Sequence, residues 1–194
     1  MRTPLSPVPS GDAKPDASWS ASIRLFHWLV AVLIFIQFAL GWLAVGWGLS
    51  PTKLNLFVWH KSIGMLILAL VVARLLNRLA KSTPPLPSDT PAWERAAARW
   101  SHALLYVLMI TMPLTGWVIN SAAGVPFRIF WQLPLPALMA PDKHTSDIVA
   151  LVHFVLGIAF VALLILHVGA ALRHHFVKRN NVLRRMLPSR RLVK

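Results

Sequence analysis

The sequence contains no cysteine, and that absence removes several chemistries at once. No disulfide framework, no thiolate-held iron–sulfur cluster and no Cys-x-x-Cys-His attachment of a covalent haem can be built from it. Charge is scarce as well: 13% of the 194 residues are charged, against about 25% in an ordinary soluble domain. Acidic residues are rarer still, and all six (Asp12, Asp16, Asp89, Glu94, Asp142, Asp147) fall outside the long apolar runs. Proton-pumping relays use carboxylates inside the membrane, so no proton wire of that kind is expected. The opening "MRTPLSPVPSGDAKPDASWSAS" has no apolar core and reads as a Pro-, Ser- and Ala-rich tail rather than a signal peptide.

What is abundant is apolar surface. Hydrophobic residues make up 56% of the chain, and the mean hydropathy is +0.60. Four runs, at 25–48, 57–76, 101–120 and 150–172, are each long enough to cross a hydrocarbon layer of about 30 Å. The expectation is an all-α membrane protein, a four-helix transmembrane bundle over 23–176, with an N-terminal tail (1–22) and a basic C-terminal tail (177–194). The 2–3 connection, "AKSTPPLPSDTPAWERAAARW", opens with prolines that end the second helix. It closes with a short amphipathic entry into the third helix, Pro91 lying near its first turn. The 3–4 connection, 121–147, is aromatic and proline-rich, and is expected to lie along the outer surface as a lid.

A net charge of +14 invites a nucleic-acid reading, which the distribution of the charge rejects. The N-terminal tail, the 2–3 connection with Arg74 at its edge, and the C-terminal tail hold sixteen of the twenty Lys and Arg. Only Lys53, Lys61, Arg128 and Lys143 lie on the other side. Such a bias is a positive-inside signal and predicts that both termini are cytoplasmic. The closing "KRNNVLRRMLPSRRLVK" would then meet anionic lipid headgroups.

Eight histidines, at 27, 60, 102, 144, 153, 167, 174 and 175, sort by depth. His153 and His167 stand 14 residues apart in the last apolar run. That spacing falls about 40° short of four full turns, so both rings leave one helix face, about 21 Å apart. One ion cannot bridge that distance, so each histidine needs its own partner. The topology offers His60 at the outer level for His153 and His27 at the inner level for His167. Two stacked bis-histidine sites suit haem b, whose flat macrocycle takes one axial imidazole from each side. Zinc wants three or four protein ligands, and copper usually adds Cys or Met. The plainer alternative is four helix-end histidines bonded to backbone and headgroups.

At this point the residues reach a family. The segments "RLFHWLVAVLIFIQFALGW", "HKSIGMLILALVVARLLNRLAKSTPP", "SHALLYVLMITMPLTGWVINSAAGVP", "VHFVLGIAFVALLILHVGAALRHHF" and "NVLRRMLP" together resemble the prokaryotic cytochrome b561 family over about residues 22–188. The resemblance implies a four-helix cytochrome of the bacterial inner membrane with two haem b groups, His27, His60, His153 and His167 being axial ligands. The tail before Ser22 is longer than the family pattern and carries no motif.

Around these four, Arg74 follows His60 by 14 residues and shares its helix face. A guanidinium at the inner level can pair with haem propionates or snorkel to headgroups. Lys61 could serve the outer propionates. His102 lies at the inner depth and is surplus to two bis-histidine sites, fitting a quinone pocket or a propionate cap. His144 belongs to the outer lid, and His174 and His175 are expected just past the last helix. Gln37, the lone uncharged polar side chain deep in the first run, has no assigned role. The reading is of electron transfer between a donor and the quinone pool, with ubiquinone as a substrate. The donor is a redox protein or, by family resemblance, superoxide. Membrane lipids are partners, nucleic acid is not, and a homodimer stays open. The alternatives are a membrane-anchor subunit of a dehydrogenase or hydrogenase, and a transporter or structural protein without haem.

Overall fold

The structure, a computed structural model, describes residues 19–81 and 90–187. Four long helices dominate it: α1 (Ala21–Gly46), α2 (Pro51–Leu79), α3 (Ala92–Ala122) and α4 (Lys143–Phe176). All four are long and apolar enough to cross a membrane. Even the shortest, with 26 residues, extends about 39 Å, more than the hydrocarbon layer requires. α2, α3 and α4 outrun their apolar stretches at both ends. His174 and His175, expected past the last helix, belong to the final turn of α4. Pro91 stands just outside α3 as its N-cap residue, and the helix then runs unbroken through "AWERAAARW". The prolines 84, 85 and 87, and the tails at 1–18 and 188–194, lie outside the described residues.

Local chemistry explains the helix starts. The Ser50 hydroxyl accepts a hydrogen bond from the Lys53 N–H at 3.3 Å, and Pro51 takes the first helical position, where a missing N–H costs nothing. Asp142 caps α4 by accepting from the His144 and Thr145 backbone N–H groups and from the Thr145 hydroxyl, the last at 2.5 Å. That hydroxyl, with the two N–H groups, holds the Asp142 carboxyl below the usual carboxylate range.

The helices are antiparallel. Ser22 at the start of α1 bonds Asn77 at the end of α2, and Glu94 at the start of α3 meets Arg173 at the end of α4. α1 packs on α2, α3 on α4 and α2 on α3, while the α4 backbone hardly approaches α1 or α2. The buried core is formed by Val30, Ile34, Ile63, Ile67, Val71, Leu105, Leu108 and Met109, to which α4 contributes only Phe160. Outward-facing Trp42, Leu151, Phe154 and Leu166 leave the surface apolar, as lipid contact demands.

Two features were not anticipated. The 3–4 connection contains a short hairpin, β1 (Phe127–Ile129) and β2 (Leu133–Leu135), paired Phe127↔Leu135, Arg128↔Pro134 and Ile129↔Leu133. Its tip, Phe130 and Trp131, takes positive φ. The Phe130 N–H donates to Ser62 Oγ at 2.7 Å, and both rings stand edge-on to Trp59. The lid is thus pinned to α2 beside His60. At the opposite end, Glu94 is 8% exposed and accepts from Lys178 at 2.6 Å and Arg173 at 3.1 Å, with His174 Nε2 at 3.6 Å. The chain after α4 then turns back through a 3-10 turn (Arg184–Met186). Arg24 and Trp28 of α1 donate to the Leu187 and Met186 carbonyls, both at 2.8 Å. Lys178 and the Met186 and Leu187 carbonyls thus tie the start of the basic tail to the bundle end.

Candidate cofactor site

The bundle brings the histidines of the apolar runs together at two levels. Toward the hairpin, His60 of α2 faces His153 of α4 with ring centroids 6.4 Å apart. Toward the termini, His27 of α1 faces His167 of α4 at 6.3 Å. His102 of α3 stands 5.4 Å from His167 as a third ring at that level. Between the levels, Phe38 of α1 meets Phe160 at 5.4 Å, edge to face. Phe160 is seven residues from each of its helix's two histidines, two turns either way.

The two spacings have a chemical meaning. An imidazole nitrogen bonds a transition metal at about 2 Å and lies about 1 Å from its own ring centre, so two axial imidazoles on one iron hold their centroids about 6 Å apart. Both pairs meet that condition. Among the described residues, no group of three or more His, Asp or Glu is arranged to hold a bare ion.

Hydrogen bonding fixes the protons of the hairpin-level pair. His60 Nδ1 lies 3.2 Å from the Gln37 carbonyl, which can only accept, so Nδ1 carries the hydrogen and Nε2 keeps its lone pair. Thr115 Oγ1 donates its one hydrogen to the Met112 carbonyl at 2.8 Å. It must therefore accept from His153 Nδ1, also at 2.8 Å, which again frees Nε2. At the terminal level Arg74 Nη2 donates to His27 Nδ1 at 3.0 Å. Because guanidinium has no acceptor, the hydrogen of a neutral His27 there sits on Nε2. Ligation through that nitrogen requires Arg74 to release Nδ1.

Space is reserved as well. A Cβ on Gly41 would lie 2.9 Å from His60 Cε1, so only glycine leaves that ring its place. Gly64 gives Gln37 room: an added Cβ would lie 3.1 Å from its Nε2, close enough that the amide would have to shift. Gln37 then reaches the His60 backbone carbonyl at 2.8 Å. With its own carbonyl on His60 Nδ1, it grips His60 at two points. Lys61 is engaged away from the histidines, donating to Asn120 Oδ1 at 2.7 Å and lying over the Phe127 ring under the hairpin. Arg74 and Arg78 flank the Tyr106 ring at 5.4 and 5.8 Å. His144 is exposed in the first turn of α4.

Comparison with known proteins decides the family. The profile described as prokaryotic cytochrome b561 matches residues 18–189. The chain belongs to the prokaryotic cytochrome b561 family. Family membership implies haem b. Cytochrome b561 homolog 2 of Escherichia coli (strain K12) is 37% identical over 169 residues, covering 84% of this chain and 87% of that protein. Cytochrome b561 homolog 1 of the same organism is 27% identical, over 85% of this chain and 94% of that protein. A Yersinia pestis protein named "Probable superoxide oxidase CybB" is 30% identical, over 85% and 93%.

Sequence reasoning missed Gln37, Thr115 and Phe160. Phe160 carried a signal, its position midway between His153 and His167. Gln37 carried one too, an amide in an otherwise apolar run, but its partner lies on another helix. Replacing Gln37 with leucine removes one of the two grips on His60. The main-chain carbonyl that holds the His60 ring survives the change, so the expected outcome in this b561-family chain is haem retention at the hairpin level weakened by less than about tenfold, the lower end for lost outer-shell support. Haem transfer to an apoprotein acceptor measures it.

Proposed function

We propose that the chain is a transmembrane electron-transfer cytochrome with two haem b groups, one per level, ligated by His60 with His153 and by His27 with His167. The observation that carries this is the pair of ring separations, 6.4 and 6.3 Å, each matching two imidazoles on one iron. Bound there, haem supplies a one-electron ferric/ferrous couple. The chain's own residues fix ligand tautomers through Gln37 and Thr115, keep the space between levels dry with Phe38 and Phe160, and bring the Arg74 charge to the terminal level. His102 stands beside His167 as a candidate for propionate or quinone contacts, and Lys61 would have to leave Asn120 to serve the propionates of the hairpin level.

Electrons pass between a donor and the quinone pool, with ubiquinone as substrate. The relative named a probable superoxide oxidase supports superoxide as donor. Two superoxide anions then give up one electron each and leave as dioxygen, while one quinone takes two electrons and two protons to become quinol. The charge bias supports an inner-membrane protein with both termini in the cytoplasm and the hairpin level facing outward.

Purified protein is expected to show a b-type spectrum on dithionite reduction and two haems per chain by pyridine haemochrome assay. A redox titration with and without quinol then separates the two levels. Colourless folded protein sinks the proposal in favour of a haem-free transporter, and a single haem per chain removes the second site. Copurification with a dehydrogenase or hydrogenase subunit would move the assignment to a membrane anchor.

A further inference from the structure

We infer that Tyr106, Arg74 and Arg78 form a binding site for a pair of carboxylates, the two propionates of the terminal-level porphyrin. This rests on the two-haem proposal and adds Tyr106 and Arg78 to the Arg74 that the sequence already placed at that level.

Tyr106 is the only tyrosine in the chain. It follows His102 by one turn on α3, and its hydroxyl is buried with no hydrogen-bond partner among the described residues. Arg74 and Arg78, one turn apart on α2, lie over its ring. Arg74 spends one donor on His27 Nδ1, which ties the cluster to the ligand level. Among the described residues Arg78 has no other partner than that ring.

Among the described residues neither guanidinium meets a carboxylate. The acidic side chains among the described residues are Glu94, Asp142 and Asp147. Glu94 is taken by Lys178 and Arg173, Asp142 caps α4, and Asp147 pairs with Lys143 at 2.7 Å. Two cations and a phenol O–H, donors throughout, thus converge on one half-buried place. The complement is an acceptor-rich group with two negative charges. A neutral quinone offers carbonyl oxygens and no charge, leaving both guanidiniums unmatched. Two carboxylates satisfy both charges and the phenol together.

The test uses full-length haem-loaded protein carrying Arg78→Gln or Tyr106→Phe, with haem loss to apomyoglobin and a two-component potentiometric titration as readouts. Loss of a charge-assisted hydrogen bond predicts about tenfold faster loss of the terminal-level haem in each variant. A cation near the iron favours the ferrous form, so Arg78→Gln is also expected to lower the midpoint potential of that haem alone. Arg78→Lys should restore most of that potential. The hairpin-level haem is the internal control, and an unchanged value there shows that the variant has folded. Two haems whose loss rate and potential are unmoved in Tyr106→Phe overturn the inference while leaving the two-haem proposal standing. A raised quinone concentration for half-maximal reduction, with haem properties unaltered, also overturns it and gives the site to quinone.

Discussion

Replacing His153 with alanine is expected to halve the haem content, from two per chain to one, and to leave the second haem with its native potential. The reason lies in how the hairpin level is assembled. Its two rings come from different helices, and each is held by a single set of contacts: His153 by Thr115, His60 by Gln37. No third histidine ring stands against this pair among the described residues, so the lost ligand has no replacement. Outer-shell changes alone cost about ten- to hundredfold in metal affinity, and loss of a ligand costs more. Retention at this level should fall at least a hundredfold, below what survives purification. His60→Ala should give the same spectrum. If alanine at His60 and at His167 erased one and the same haem, the pairing across the bundle would be wrong.

The second large effect concerns the terminal level, where His167 has two histidine neighbours. His27→Ala is expected to remove the haem there and His102→Ala to leave it bound. The spacing decides between them: His27 stands 6.3 Å from His167, close to the separation two axial rings need, and His102 stands at 5.4 Å, too near. Haem analysis of the two variants side by side settles the matter. Loss in His102→Ala with retention in His27→Ala would exchange their roles.

The four helices and the meeting of four histidines at two depths were legible in the sequence because both follow from periodicity. Apolar length sets the spans, and a 14-residue interval on one helix sets the level spacing. Hydropathy reads the bilayer, however, and not the helix. Ala-rich "AWERAAAR" and the turn holding His174 and His175 extend α3 and α4 past their apolar stretches, since helix propensity continues where hydrophobicity stops. The burial of Glu94 was not legible because its three basic partners come from the far end of α4 and the chain beyond it. The hairpin left no readable trace. Its strands are three residues long, one contains Pro134, and its turn places Phe130 and Trp131 at positive φ, where Gly or Asn would have been the signal.

One feature of the packing reaches beyond electron transfer. The backbone of α4 leans mainly on α3, and its side chains meet α1 and α2 at two imidazole pairs and one pair of phenyl rings, with Leu156, Leu163 and Leu164 packed against the shared core. On the two-haem proposal, the porphyrin planes would be the mortar that joins the fourth helix to the first two. Cofactor delivery and native assembly then form one equilibrium. A cell starved of iron would carry a chain with a loosened fourth helix, open to membrane proteases, and the abundance of the protein would follow the porphyrin supply without any dedicated regulator.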